Sequence, residues 1–172
     1  MDKQTEAALR RAAGMLEAIL IRQTDLHREM LQVADEKRDA IVNGDLAKLE
    51  KAVSEEKKLV ARVEDEEKRR LAVMPLIRSG LGLDDSVEKL ADIVSRLPEP
   101  ERSRLLGARD ALKEVLEACQ LKTRHNAELL KASLEHIESF LRSLSDAASP
   151  DANYRRDGRK SGGGPTLIDR NA

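Results

Sequence analysis

The chain has 172 residues, 37% of them Asp, Glu, Lys or Arg, with one Phe, one Tyr and no Trp. Thirty-one basic residues against thirty-two acidic ones give a formal net charge of −1. That balance argues against a general nucleic-acid binder, which needs a basic excess to displace counterions from phosphates. So few aromatics amid abundant Ala, Leu, Glu, Lys and Arg is the composition of long helices, not of a β-sandwich or barrel.

The single cysteine, Cys119, has no internal partner for a disulfide, and implies no oxidising compartment. The charged start, Met1-Asp-Lys-Gln-Thr-Glu, lacks the apolar segment of a secretory signal. No run approaches the ~20 apolar residues needed to cross a bilayer. A cytoplasmic protein without membrane insertion is expected.

From Thr5 to about Val42, Leu9, Ala13, Leu16, Leu20, Leu26, Met30, Val33 and Ile41 recur in steps that keep one face apolar. Arg10, Arg11, Glu17, Arg22, Asp25 and Glu29 fall on the wet side, and the helix should reach roughly 55 Å. Asn43-Gly-Asp then breaks the pattern. Gly44 suits the left-handed residue that ends a helix and Asp45 suits the cap of the next. A connection this short makes the flanking helices antiparallel neighbours.

The second helix is predicted from Leu46 to about Arg78, with Leu46, Leu49, Val53, Leu59 or Val60, Val63, Leu71 and Met74 as its stripe. Glu64–Lys68, Asp65–Arg69 and Glu66–Arg70 have the favourable i,i+4 polarity, and Pro75 should kink the helix or mark its last turn. After the loop at Ser79-Gly-Leu-Gly-Leu-Asp-Asp, Asp85 or Ser86 is expected to cap a short helix through Val87, Leu90, Ile93, Val94 and Leu97. Pro98-Glu-Pro-Glu opens a last long helix running to about Leu144, because proline and acidic residues both suit a first turn. Its stripe is Leu105, Leu112, Leu116, Cys119, Asn126, Leu130, Ser133, Ile137, Phe140 and Leu144, widened by Leu129, Leu134 and Leu141.

The fold expected is all-α: an antiparallel bundle of three long helices plus one short helix over residues 1–147. Residues 148–172 read as a disordered, flexible Gly/Arg-rich tail. That tail ends in Thr166-Leu-Ile-Asp-Arg-Asn-Ala, whose apolar pair, Leu167 and Ile168, is a short sticky element on a polar tether.

Little in the sequence supports catalysis. There is no Gly-rich phosphate loop, CxxC or nucleophile elbow. The residues three before His27, His125 and His136 are Thr24, Lys122 and Ser133, so the Glu-x-x-His motif of di-metal bundles is missing. The nearest metal-like set, His125 with Glu128 and Glu135, reads as surface. Cys119 reads as a small buried hydrophobe, with a reactive thiol as the alternative, and Asn126 either as a buried amide that fixes register between helices or as a partner contact. No enzyme, cofactor or metal is expected.

Three segments resemble the FlgN family of flagellar export chaperones. Lys37-Arg-Asp-Ala-Ile-Val-Asn-Gly-Asp-Leu-Ala-Lys-Leu-Glu, at the first turn, is similar to a family segment in sequence and position. Asn126-Ala-Glu-Leu-Leu-Lys-Ala-Ser-Leu-Glu-His-Ile is similar to the family's last-helix pattern, and Tyr154, Gly158 and the closing Leu167-Ile-Asp-Arg-Asn-Ala resemble its ending. The basic, glycine-rich tail is longer here than in that pattern. The resemblance implies a non-catalytic chaperone for the hook-filament junction proteins (the hook-associated proteins FlgK and FlgL). It would hold their C-terminal helical regions, prevent premature assembly and deliver them to the type III export gate, with the export ATPase complex as a further partner.

On that basis the expected client surface is Asn126, Leu129, Leu130, Leu134, Ile137, Leu141 and Leu144, with Tyr154, Leu167 and Ile168 closing over it. The contrasting reading is a structural or adaptor coiled coil that self-associates or regulates an ATPase. The breaks at Asn43-Gly-Asp, Pro75 to Asp85 and Pro98 favour a monomer or weak homodimer instead.

Overall fold

A computed structural model describes residues 3–83 and 90–148, with side chains as far as Ser145. Four helices account for nearly all of it: α1 Lys3–Asn43, α2 Leu46–Leu81, α3 Leu90–Ser95 and α4 Glu101–Ala148. Among the described residues there is no strand. The expected cap at Asp85 or Ser86, Val87, and the tail with Tyr154, Leu167 and Ile168 lie outside the described residues. The chain divides into two compact units, residues 1–131 and 132–172.

Within the first unit, α1 and α2 form the expected antiparallel hairpin. Arg22 pairs with Glu66 at 3.2 Å, Glu29 with Arg62 at 3.0 Å and Lys37 with Glu56 at 2.7 Å, so position rises on one helix as it falls on the other. The turn works by backbone chemistry. Gly44 takes φ 65°, which glycine adopts without a steric penalty, while its N–H donates to Ile41 O and that of Asp45 to Ala40 O. Those two bonds satisfy the last carbonyls of α1 as a Schellman motif. Asp45 Oδ1 then accepts from Lys48 N at 3.0 Å and caps α2. That backbone bond, more than any charge nearby, lowers the Asp45 pKa. The same arrangement closes α2, where Gly82 is left-handed at φ 64° and Leu83 N donates to Arg78 O.

Two findings concern α2. It runs to Leu81, about one turn past the expected end near Arg78, with Pro75 inside it. Proline forfeits one backbone bond and crowds the preceding turn, at about 3 kcal/mol or more. The cost is met because Met74 and Ile77, on either side, are fully buried while Pro75 itself faces solvent. The predicted stripe is also displaced. Leu46, Val60 and Leu71 are exposed, and the buried positions are Ala52, Leu59, Glu66, Val73, Met74 and Ile77.

The charge run pairs at i,i+3, not i,i+4. Asp65 meets Lys68, Glu66 meets Arg69 and Glu67 meets Arg70. Glu66 is drawn across the hairpin seam to Arg22, and Arg69 reaches it from the solvent side. Arg70 is left to Glu67, which also accepts from Gln23 Nε2 at 3.3 Å.

The core comes in two parts. The larger gathers Leu9, Leu16, Ile19 and Leu20 of α1, Val73, Met74 and Ile77 of α2, Ile93 and Val94 of α3, with Leu97 and Leu105. Gly80 lets α2 approach α1 closely: a Cβ there would sit 3.0 Å from Leu9 Cδ1 and 3.2 Å from Leu9 Cβ. The smaller core, toward the turn, holds Leu26, Val33, Ala52 and Leu59 against Met30 and Val63. Between them lies a polar belt of buried Gln23, Thr24, His27 and Glu66. Its members are bonded: Thr24 Oγ1 donates to Leu20 O at 2.8 Å and His27 Nδ1 meets Gln23 O at 2.7 Å. Bonding of this kind is what makes buried polar groups tolerable.

In the first unit α4 runs parallel to α1. Arg10 faces Glu101, His27 faces Cys119 and Ala34 faces Asn126, so both helices count upward together, α4 about 92 positions ahead. Glu99, ahead of α4, accepts from Ser103 N and Oγ and from Arg102 Nε. These bonds, Ser103 Oγ foremost, lower its pKa and satisfy donors at the start of α4.

Candidate functional site

The residues singled out on α4 meet different fates along the helix. In the first unit Asn126 is only 6% exposed, and its Nδ2 donates to Ala34 O at 2.7 Å. An amide held this way ties α4 to one position along α1. Two turns earlier, the half-buried Cys119 Sγ donates to His27 O at 3.3 Å, and one turn earlier Lys122 pairs with Asp35. Burial pushes the Cys119 thiol up, against a smaller opposing pull from Lys122, so the reactive thiolate is disfavoured. Leu129 is half-buried and Leu130 is exposed.

In the second unit every described large apolar side chain of α4 is open. Leu134, Ile137, Phe140, Leu141 and Leu144 are each between 49% and 58% exposed. At ~100° per residue these five positions fall within an arc of roughly 120° of the helix surface. They form one continuous stripe. Half-exposure of five such side chains leaves on the order of 400 Å² of contiguous apolar surface, the scale at which a patch marks an interaction site. Charged residues border it: Arg142 pairs with Glu138 at 3.8 Å, its partner four residues back.

Phe140 belongs to this exposed set although sequence reasoning placed it on the stripe without counting it at the surface. Its signal was present, since it follows Ile137 by three and precedes Leu144 by four.

His125 and Glu128 are exposed, as is Glu135. Among the described residues no group of three or more His, Cys, Asp or Glu is arranged to hold a metal ion. Among them, too, no helix is long and apolar enough to cross a membrane. What α4 offers in the second unit is an exposed apolar stripe.

The first unit is an all-α hairpin bundle, and the second carries an exposed apolar stripe on α4. The family model described as FlgN protein matches residues 13–162. The chain therefore belongs to the FlgN family, whose role is that of a flagellar export chaperone for export substrates. No curated protein and no solved structure matches it.

Proposed function

We propose that the chain holds the C-terminal helical regions of the two hook-filament junction proteins, FlgK and FlgL, in the cytoplasm and passes them to the export gate. One observation carries the reading: the exposed stripe of Leu134, Ile137, Phe140, Leu141 and Leu144. A client segment that later packs into a filament must have an apolar helical face. Left bare, that face drives premature association.

Laid along the stripe as a helix in a groove, the client would cover its own apolar residues and those of α4 together. Removing on the order of 400 Å² of α4 surface from water is worth about 10 kcal/mol before the costs of ordering and association. Those costs keep the complex reversible, as delivery requires. By sequence spacing Leu129 and Leu130 extend the proposed client surface. Asn126 contributes by fixing α4, and Tyr154, Leu167 and Ile168 are assigned to close over the client. The protein acts by holding, with no bond made or broken, and its contacts with the export ATPase complex belong to the same proposal.

The test is co-purification of the full chain with the C-terminal helical region of each junction protein, with light scattering for stoichiometry. A 1:1 complex is expected. Leu134→Asp combined with Leu141→Asp should abolish capture while circular dichroism shows the helix content nearly unchanged. Absence of any complex, with the chain running as a stable elongated homodimer, would move the assignment to a self-associating coiled-coil adaptor.

A further inference from the structure

A second apolar surface lies in the first unit, along the outer seam of α1 and α2. Two adjoining cavities share Arg11 and Met15 and together follow α1 from Gln4 to Arg22. At ~1.5 Å per residue that is a furrow about 27 Å long, some five helical turns. Helical spacing puts its α1 residues, such as Met15, Ala18 and Arg22, away from Leu16, Leu20 and His27, which face the core and α4.

The floor is shallow because its central residues are small: Gly14 and Ala18 on α1, Ala72 on α2. Small side chains permit another helix backbone to come close. Met15 and Leu76 stand at the sides, about half exposed, as apolar contacts. The charge on the lining is one-sided. Among the described residues it contains Arg11, Arg22 and Arg69 and no Asp or Glu, in a chain where acidic and basic residues are otherwise balanced. Arg22 and Arg69 share the single carboxylate of Glu66, which is buried beneath them. The furrow therefore presents a net positive edge to solvent.

We propose that this furrow is a second docking site, which takes an amphipathic helix of about 18 residues with an acidic edge from a partner protein. The partner's apolar side chains rest on Met15, Leu76 and the small floor, and its carboxylates meet Arg11 and the outward sides of Arg22 and Arg69. Bidentate geometry makes arginine suited to carboxylates at such a rim. The site is separate from the stripe of Leu134 to Leu144 and does not depend on the proposed client.

The probe is a fluorescein-labelled 18-residue helical peptide with Leu at i, i+3, i+7 and i+10 and Glu on both edges. A control peptide carries Lys at the Glu positions. Binding to the full chain is read by fluorescence anisotropy at low and moderate salt. The Glu peptide should bind at least tenfold more tightly than the Lys peptide and weaken as salt rises. Met15→Glu, at an exposed position, should abolish binding with unchanged circular dichroism, and Arg11→Gln should weaken it severalfold. Leu141→Asp should leave it intact. Equal binding of both peptides, or a Glu peptide indifferent to Met15→Glu, overturns the proposal. So does a dimer by light scattering that Met15→Glu returns to monomer, because the furrow's occupant is then a second copy of the chain.

Discussion

The first half of α1 and the second half of α4 carry apolar stripes of the same helical spacing, yet the two regions end differently. Leu9, Leu16 and Leu20 are at most 1% exposed, while Leu134, Ile137 and Leu141 are more than half exposed. Periodicity identifies the face of a helix that is apolar; it does not say whether that face is covered. In α1 the stripe is shared among α2, α3 and the start of α4. It therefore holds the bundle together, whereas the later stripe of α4 stays exposed and is proposed above as the client surface.

The comparison is easiest to break with matched truncations. Leu16→Ala should cost about 2–5 kcal/mol, the range for emptying a fully buried leucine site. Ile137→Ala should fall within about 0.5 kcal/mol, as exposed substitutions do. Urea titration of both variants measures the difference, and equal losses would mean that the α4 stripe is core. Next in size is Gly80→Val, which drives a branched side chain into Leu9 and should cost about 1–3 kcal/mol. The contrasting Gly14→Ala, with nothing within 4 Å of the added methyl group, should stabilise α1 by up to ~1 kcal/mol in the same titration.

The smallest effect is electrostatic. Two hydrogen bonds from Arg70 hold the Glu67 carboxyl below its ordinary pKa of 4.5, with burial opposing and Gln23 assisting. A depressed folded-state pKa means that the folded chain binds fewer protons in this range. The stabilisation is therefore complete above pH 4.5 and is lost as pH falls through the lower folded value. The pair is partly exposed, so it should be worth less than about 1 kcal/mol. Glu67→Gln should lower the melting temperature slightly at pH 7, and the gap to the parent chain should narrow towards pH 3. A gap that widened on acidification would reverse the assignment.

The hairpin turn was legible because Asn43, Gly44 and Asp45 each have a distinctive backbone role, and no distant residue is needed to explain them. The four helices were legible from spacing and from the prolines near α4. The buried face of α2 was not. Its inward positions include Ala52 and Glu66, which a search for large apolar residues passes over, while exposed Leu46 and Leu71 are drawn in. How the helix tolerates Pro75 was not legible either: its local cost is outweighed by the burial of Met74 and Ile77, which only tertiary packing reveals. At the candidate site, the stripe on α4 could be read in advance. Its openness was expected from the width of the apolar face and from the family resemblance, and the exposure of Leu134, Ile137, Leu141 and Leu144 agrees with it.

The polar belt has a consequence for which partners in the hairpin can meet. Ala12, Ile19, Leu26, Val33 and Ala40 of α1 are seven apart, as are Ala52, Leu59, Glu66 and Val73 of α2, and all nine are buried. A repeat so even would allow α2 to slip two turns along α1 with little loss of apolar contact. Glu66 forbids it. Slippage either way would set its carboxylate among Leu16 and Ile19 or Leu26 and Met30, away from Arg22. One charged residue thus rejects the misaligned hairpins that the leucines and alanines alone would accept.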